Sequence, residues 1–556
     1  MKIASHFRLV GVASAMALAV ACAQTSSSDP TGSGGSNGSG SGGTTSGSGG
    51  TSSGSGGSTA SGGNSATGGR GGSNASGGVN GNGGSASGGS TGAAGGTIGS
   101  GGNRASGGST GAAGRGGSTG TAGTGVAGRS GGTGGSTTSG SGGGGPSASC
   151  TFTATAKQGT IPTVFTVTWS TTLSSVTSAE IDFGPAASGP SLVATVDLTK
   201  PDYSTMLVGM KPSASYMYRI VAKSASGTCT SQDYMITTGA LSNAPKPTVT
   251  ISQAAMHDKG FIIASSGLNG TSAYIMDADG TVVWTAPSGV PSQPSRVHLS
   301  WDATKMYEMS LNVQNSSAGK IVLQPLDGSA STSLAGVAAS HHDLTAIPGG
   351  LATPMWNSSG IDAPCSIAEF TESGTKTVAL ADVGTVYTSS TFHTNSIHYY
   401  ARDNTYTIGD RNPNLYVKIS RTGQLIWQFG GKSPKDASKN FSGVTGWQVN
   451  HGHHLTADGT FVFFNNNSNE MWDYKLNEST MTATQVMHYT ASGATSNVLG
   501  DAQVLPNGNI LVTFSTSGQI HEITPSGTLV MKITAPSGQS FGYSEFRESL
   551  SGPPPY

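Results

Sequence analysis

Seven of the chain's 12 histidines fall in two neighbourhoods. One is His341-His342-Asp343. The other runs from His393-Thr394-Asn395-Ser396-Ile397-His398, through Arg411, to Asn450-His451-Gly452-His453-His454. Arg411 and two amides among so many imidazoles suit two chemistries. One is work on an anion: Arg is a permanent planar cation that forks onto oxyanions, and neutral imidazole offers a lone pair near neutral pH. The other is metal binding, with His341, His342, Asp343, His451 and His453 as ligands for zinc or copper. No compact ligand spacing such as His-Glu-x-x-His accompanies that alternative.

The elements that must position these residues are short strands. From about Ala244 to Pro536 a four-strand unit recurs about six times, at roughly forty-to-fifty-residue spacing. Its inner half begins at His298, His342, His451 and Asp501, each followed by a turn such as Pro348-Gly349-Gly350 or Pro506-Asn507-Gly508. Its outer half recurs as Ala273 to Trp284, Leu415 to Trp427 and Gln519 to Val530. This period predicts a six-bladed β-propeller over residues 244–556. Inner-strand starts of a propeller meet at its central channel. His342 and His451 take the same blade position, His393 and Asn395 open the inner strand between them, and Arg411 ends its partner strand. His342, His393, Asn395, Arg411 and His451 are therefore expected at one channel mouth. His453 lies two residues beyond His451 and is expected to line the same site, whereas His454 should point into sheet packing. Trp284, Trp427 and Trp472 are expected in inter-blade core.

These segments resemble bacterial arylsulfate sulfotransferases, which move sulfuryl groups between phenols without a nucleotide. The resemblance covers roughly Ala244 to Leu550. It rests on His341-His342-Asp343-Leu344, His393-Thr394-Asn395-Ser396-Ile397, the Arg411 strand with Ile426-Trp427-Gln428-Phe429-Gly430-Gly431, Asn450-His451, and Asp501 through Leu511. It implies that His451 accepts the sulfuryl group, with His342, His393, Asn395 and Arg411 around it. It implies a phenolic sulfate donor, a phenolic acceptor and no cofactor, since a sulfate monoester carries one charge and needs no divalent metal. The chain departs from the family pattern at Asn450, where Gln is common, and at Gly452, where Asp is frequent. These changes bear on the surroundings of the nucleophile. Arg547, in Phe541-Gly542-Tyr543-Ser544-Glu545-Phe546-Arg547, resembles the family's C-terminal segment, with ring closure as its expected role.

The rest of the chain reads as delivery. Residues 1–21 carry Lys2, Arg8 and an apolar run, the pattern of a secretory signal. Cys22 follows as a lipidation site in the manner of bacterial lipoproteins. Residues 23–148 are almost wholly Gly, Ser, Thr, Ala and Asn, a composition expected to stay disordered. As a coil this tether spans roughly 60 Å. Residues 149–240 read as a small β-sandwich of immunoglobulin or fibronectin III type, with alternating runs around Trp169 and Tyr218. Cys150 and Cys229 bracket it and suit a disulfide in an oxidising compartment, and Cys365 is left over as a buried thiol. The expected fold class is thus all-β: a sandwich, then a propeller, behind a Gly/Ser-rich linker. A formal net charge of −1 argues against nucleic acid as a partner. The expected address is the cell envelope, at the periplasm or the outer-membrane surface, with membrane contact only through the lipid anchor; a homodimer is compatible with this reading. A third function, a non-catalytic propeller that binds glycan or protein, needs neither Arg411 nor His451.

Overall fold

The computed structural model describes residues 150–270, 273–287, 291, 293–312, 317–357 and 362–555. The signal segment, Cys22 and the Gly/Ser-rich stretch lie outside the described residues. What is described is nearly all β.

Residues 152–237 form two antiparallel sheets. Phe152–Gln158, Phe165–Thr171 and Thr205–Leu207 make one; Leu192–Thr195, Ser178–Pro185, Ser215–Ser224, Gly227–Thr230 and Tyr234–Thr237 make the other. Side chains of Ser215–Ser224 alternate between core and surface, as a sheet with one covered face requires. Trp169, Ile181, Phe183 and Ile220 fill the space between the sheets. The Tyr216 hydroxyl accepts from the Lys211 backbone N–H at 2.8 Å and fixes the corner before its strand. Cys150 and Cys229 are joined by a disulfide.

Six further antiparallel sheets follow among the described residues, and in five of them the first strand is innermost. Five of these inner strands are Pro294–Leu299, Thr345–Ile347, Thr394–Tyr400, Asn450–Leu455 and Asp501–Val504, which open blades two to six. Blade one is closed from the other end of the chain. Its inner strand is Glu545–Arg547, which pairs with Phe261–Ser265, so that Arg547 faces Phe261. In return Thr248–Ile251 pairs with Leu529–Thr534 at the rim of blade six. Both chain ends of the ring are thereby sewn in, which leaves few open sheet edges.

Burial in the blades differs from burial in the sandwich. Every residue of Gly350–Trp356, Thr394–Tyr400 and Thr405–Asp410 is buried. Each blade is covered on both faces by its neighbours, so the in-out alternation of a half-buried strand fades toward the channel. Large side chains bridge blades: the Trp284 indole donates to Leu326 O at 2.9 Å, and Trp427 packs edge-on to Phe461. Trp472 is only partly buried and packs on Phe463 of its own blade, so it sits at the margin of this core rather than within it.

Phe461 lies at the junction of blades four and five, 0% exposed, against Tyr416, Trp427 and Phe429. Phe461→Ala should lower unfolding free energy by about 3–5 kcal/mol, read by denaturant titration, because the void cannot collapse between two rigid sheets.

Candidate active site

The site assembles from the first residues of three consecutive inner strands. His342 precedes the inner strand of blade three, with φ +63°. That left-handed backbone is rare for a side-chain-bearing residue and is held here by the surrounding ring. Its Nε2 lies 3.1 Å from His393 Nε2, and its Nδ1 lies 2.9 Å from His341 Nδ1. His393 precedes the inner strand of blade four. Its backbone N–H donates to Asp410 at 2.8 Å, and Asp410 also accepts from the Tyr387 hydroxyl at 2.6 Å. Arg411 follows Asp410 directly and donates its backbone N–H to His393 O at 3.2 Å.

His451 belongs to blade five. Val449 before it also holds a left-handed backbone, φ +59°, an outlier for a β-branched residue. The His451 carbonyl accepts from the Tyr416 hydroxyl at 2.9 Å, and its ring centre is 6.4 Å from that of His342. The Asn395 amide donates to Asn450 O at 2.7 Å and so ties blade four to blade five beside the nucleophile candidate; its own carbonyl oxygen makes no hydrogen bond among the described residues. The structure thus brings together His342, His393, Asn395, Arg411 and His451.

His453 does not join them. The strand register shifts between Asn450 and His453, and Gly452 donates to Gly500 O of blade six instead. A bulge of this kind breaks the two-residue alternation. His453 therefore turns into the junction of blades four and five, with Nδ1 2.9 Å from Ser396 Oγ and Nε2 2.7 Å from Thr407 Oγ1. His454 is buried, with Nδ1 accepting from the Val504 N–H at 3.2 Å. The alternative metal set does not assemble either. His453 is turned away and Asp343 is committed to Arg296, and no three His, Cys, Asp or Glu side chains among the described residues are grouped as a metal would require.

Both departures from the family pattern beside His451 have a physical account. A Cβ on Gly452 would lie 2.1 Å from Asp501 Oδ1, so Asp501 already fills the space that an acidic side chain at 452 would need. Asn450 spans from the Trp447 indole to Leu415 O at 3.2 Å each, a gap that a short amide fills.

The charges beneath the site were not singled out from sequence. Arg296, on the inner strand of blade two, is 2% exposed. Its Nε donates to Asp343 at 2.6 Å and its Nη1 to Asp501 at 2.9 Å, and its guanidinium lies over Tyr543 at 4.5 Å. An arginine at an inner-strand start, in register with Asp343 and Asp501 of other blades, was the available signal. Tyr416 and Asn466 carried none, because both sit on outer parts of their blades.

Burial governs the ionisation of the cluster. It pulls His451 down to about 3, with the Arg411 cation adding to the effect and contacts from Asn466 and the Val449 backbone opposing it. Burial, then Arg411 and the neighbouring imidazoles, hold His393 well below the ordinary range, and the same causes act on His342. These rings are neutral at physiological pH. Burial also pushes Asp410 up to about 6, and pushes Asp501 up to about 7 with Arg296 opposing.

Residues 368–536 match the family model described as arylsulfotransferase (ASST). The matched span contains His393, Asn395, Arg411, His451 and Asp501, and His342 lies outside it. No curated protein sequence matches the chain. Among solved structures, a structural-genomics protein from Bacteroides thetaiotaomicron shares 14% identity, covering 69% of this chain and 98% of its own, at a TM-score of 0.31. TolB from Acinetobacter baumannii shares 11%, over 62% and 80%, at 0.34. A putative 6-phosphogluconolactonase from Bacteroides uniformis shares 14%, over 52% and 100%, at 0.37. These likenesses assign no chemistry to the chain.

The ionisation pattern fixes a pH response. Histidines with lowered folded values stabilise the fold above the unfolded value near 6.5, and that stability is lost as pH falls through 6.5 toward their folded values. His341, His342, His393, His398, His451, His453 and His454 all act in this sense. Glu308, Asp410, Asp473 and Asp501, raised by burial, act oppositely, losing stability as pH rises from about 4. The imidazoles outnumber the carboxyls, so the melting temperature should fall as pH drops from 6.5 to 4.5; a flat or rising melting temperature in a thermal scan would contradict the assignment. Residues 368–536, which hold most of this site, are thus similar to the arylsulfotransferase (ASST) family.

Proposed function

We propose that this protein is an aryl-sulfate sulfotransferase that carries the sulfuryl group on His451 between two phenols. The observation that carries the proposal is the meeting of His342, His393, Arg411 and His451 from three consecutive blades, three of them within the family-matched span. In the first half-reaction a ring nitrogen of neutral His451 attacks sulfur. The N–S bond forms, the sulfur–aryl oxygen bond breaks, and the electron pair leaves on the phenolate oxygen. The proton shed by the sulfonated ring ends on that oxygen, giving phenol and a neutral-ring sulfohistidine. In the second half the acceptor phenol's oxygen attacks sulfur, the N–S bond breaks with its electron pair returning to His451, and the phenol's proton ends on the His451 ring, which restores the neutral imidazole.

Each neighbour has a role in this scheme. Sulfuryl transfer, like phosphoryl transfer, has a loose transition state with charge on the equatorial oxygens. The Arg411 guanidinium offsets that charge, and Asn395 donates without adding charge. In this scheme His393 faces the leaving and entering oxygens, where proton assistance contributes, and His342 hydrogen-bonds behind it. Keeping His451 neutral by burial preserves its lone pair well below pH 6.5.

The same reading makes the protein an exported one, with residues 1–21 as its signal and Cys22 as its lipid-bearing residue. The Cys150–Cys229 bridge supports an oxidising compartment.

The test is turnover of a chromogenic aryl sulfate with a phenol acceptor. The wild type should release phenol with ping-pong kinetics, and His451→Ala should lower kcat by about 10⁴-fold or more, as loss of a nucleophile does. Equal turnover by both proteins would overturn the role of His451. No phenol release by the wild type with any of several acceptors would overturn the enzyme.

A further inference from the structure

We infer that His341 and Cys365 are a positioning pair that sets the tautomers of His342 and His393, so that His393 presents an N–H to the departing phenolate oxygen. The inference rests on the sulfotransferase reading above.

The geometry is a continuous row. Cys365 opens the third strand of blade three and is fully buried. Its Sγ lies 3.0 Å from His341 Nε2. His341 Nδ1 lies 2.9 Å from His342 Nδ1, and His342 Nε2 lies 3.1 Å from His393 Nε2. The His341 ring stacks flat on Trp356, with centres 4.2 Å apart and planes 12° apart, so its two nitrogens are held toward these two neighbours. One ring nitrogen of the row remains, His393 Nδ1, which is buried and hydrogen-bonds to nothing among the described residues.

Proton counting restricts the row to two patterns. Each nitrogen–nitrogen contact needs one shared proton, and each neutral imidazole has one N–H. Burial keeps all three rings neutral. Either every group donates away from the sulfur or every group donates toward it. The sulfur end decides. Burial pushes the Cys365 thiol well up, so it keeps its proton. The S–H has two acceptors, His341 Nε2 at 3.0 Å and Ala363 O at 3.8 Å. The imidazole lone pair is much the nearer. Donation there places the His341 proton on Nδ1, the His342 proton on Nε2 and the His393 proton on Nδ1. The unpaired nitrogen is then a donor. The opposite pattern would show a lone pair to the phenolate and repel it. A neutral N–H stabilises the developing oxyanion without changing the proton balance of the reaction.

The test uses the full chain labelled with ¹⁵N-histidine. Imidazole ¹⁵N shifts read each tautomer directly, with His341→Gln, His342→Gln and His393→Gln to assign signals. The expected wild-type pattern is Nδ1–H on His341, Nε2–H on His342 and Nδ1–H on His393. Cys365→Ser retains a donor and should keep the pattern; Cys365→Ala should lose it. With phenyl sulfate, Cys365→Ala should lower kcat by about 10²-fold at nearly constant KM, the cost of one lost oxyanion donor. With 4-nitrophenyl sulfate, whose phenolate leaves with less help, the loss should be smaller, and Cys365→Ser should recover both rates. A wild-type Nε2–H tautomer at His393 overturns the inference even if the variants fail to fold. So does an unchanged pattern in Cys365→Ala, or an equal loss on both esters. A wild type with the expected tautomers and no sulfuryl transfer overturns the sulfotransferase reading and leaves the tautomer assignment standing.

Discussion

Arg296 binds two carboxylates from different blades in a place that water does not reach. Asp343 comes from blade three and Asp501 from blade six, while Arg296 itself comes from blade two. The same guanidinium donates to Ser544 O and stacks on Tyr543, both just before the inner strand of blade one. Asp343 then accepts from the Ile397 N–H of blade four, and Asp501 abuts Gly452 of blade five. One cation therefore references all six blades at the centre of the ring. Such a buried network is costly to desolvate and still more costly to leave half-paired. Losing the arginine would strand two buried carboxyls, so the inner strands can sit in only one mutual register. The catalytic candidates stand on those strands and inherit that register.

The second constraint is neutrality. Packing imidazoles edge to edge from consecutive blades beside Arg411 would be untenable if they were charged. Burial keeps them neutral, which lets them hydrogen-bond to one another and keeps a lone pair available on His451. The same burial leaves unsatisfied polar side-chain atoms among the described residues, His393 Nδ1 and Asn395 Oδ1 included. Unpaired buried polar groups are expensive and rare in folded proteins. In the proposed reaction an N–H at His393 Nδ1 suits a sulfate ester, which only accepts hydrogen bonds, and Asn395 Oδ1 suits the hydroxyl of a phenol.

Much of this was legible in the sequence, for definable reasons. The four-strand period, with its Asp-Gly and Asn-Gly turns, reported the propeller because each blade repeats the same hairpin chemistry. The shared blade position of His342 and His451 reported their convergence because a ring brings equivalent positions to one channel. His453 was misplaced because alternation was carried through a bulge, and the bulge depends on Gly452 meeting blade six, a contact that no local pattern reveals. Trp472 was placed too deep because residue type says little about distance from the rim. Arg296 passed unnoticed because its partners lie far away in sequence, and a charge that is to be buried looks like any other charge until those partners are known. The Cys365–His341–His342–His393 row was equally hidden: two of its three links join different strands.

The central claim is that His451 carries the sulfuryl group. The most direct measurement is the intact mass of the enzyme after mixing with an aryl sulfate in the absence of acceptor, quenched under alkaline conditions and followed by peptide mapping. The account predicts one added SO3 per chain, located on His451 and discharged by a phenol. A chain that turns over aryl sulfate with no such adduct, or with the adduct on another residue, would contradict it.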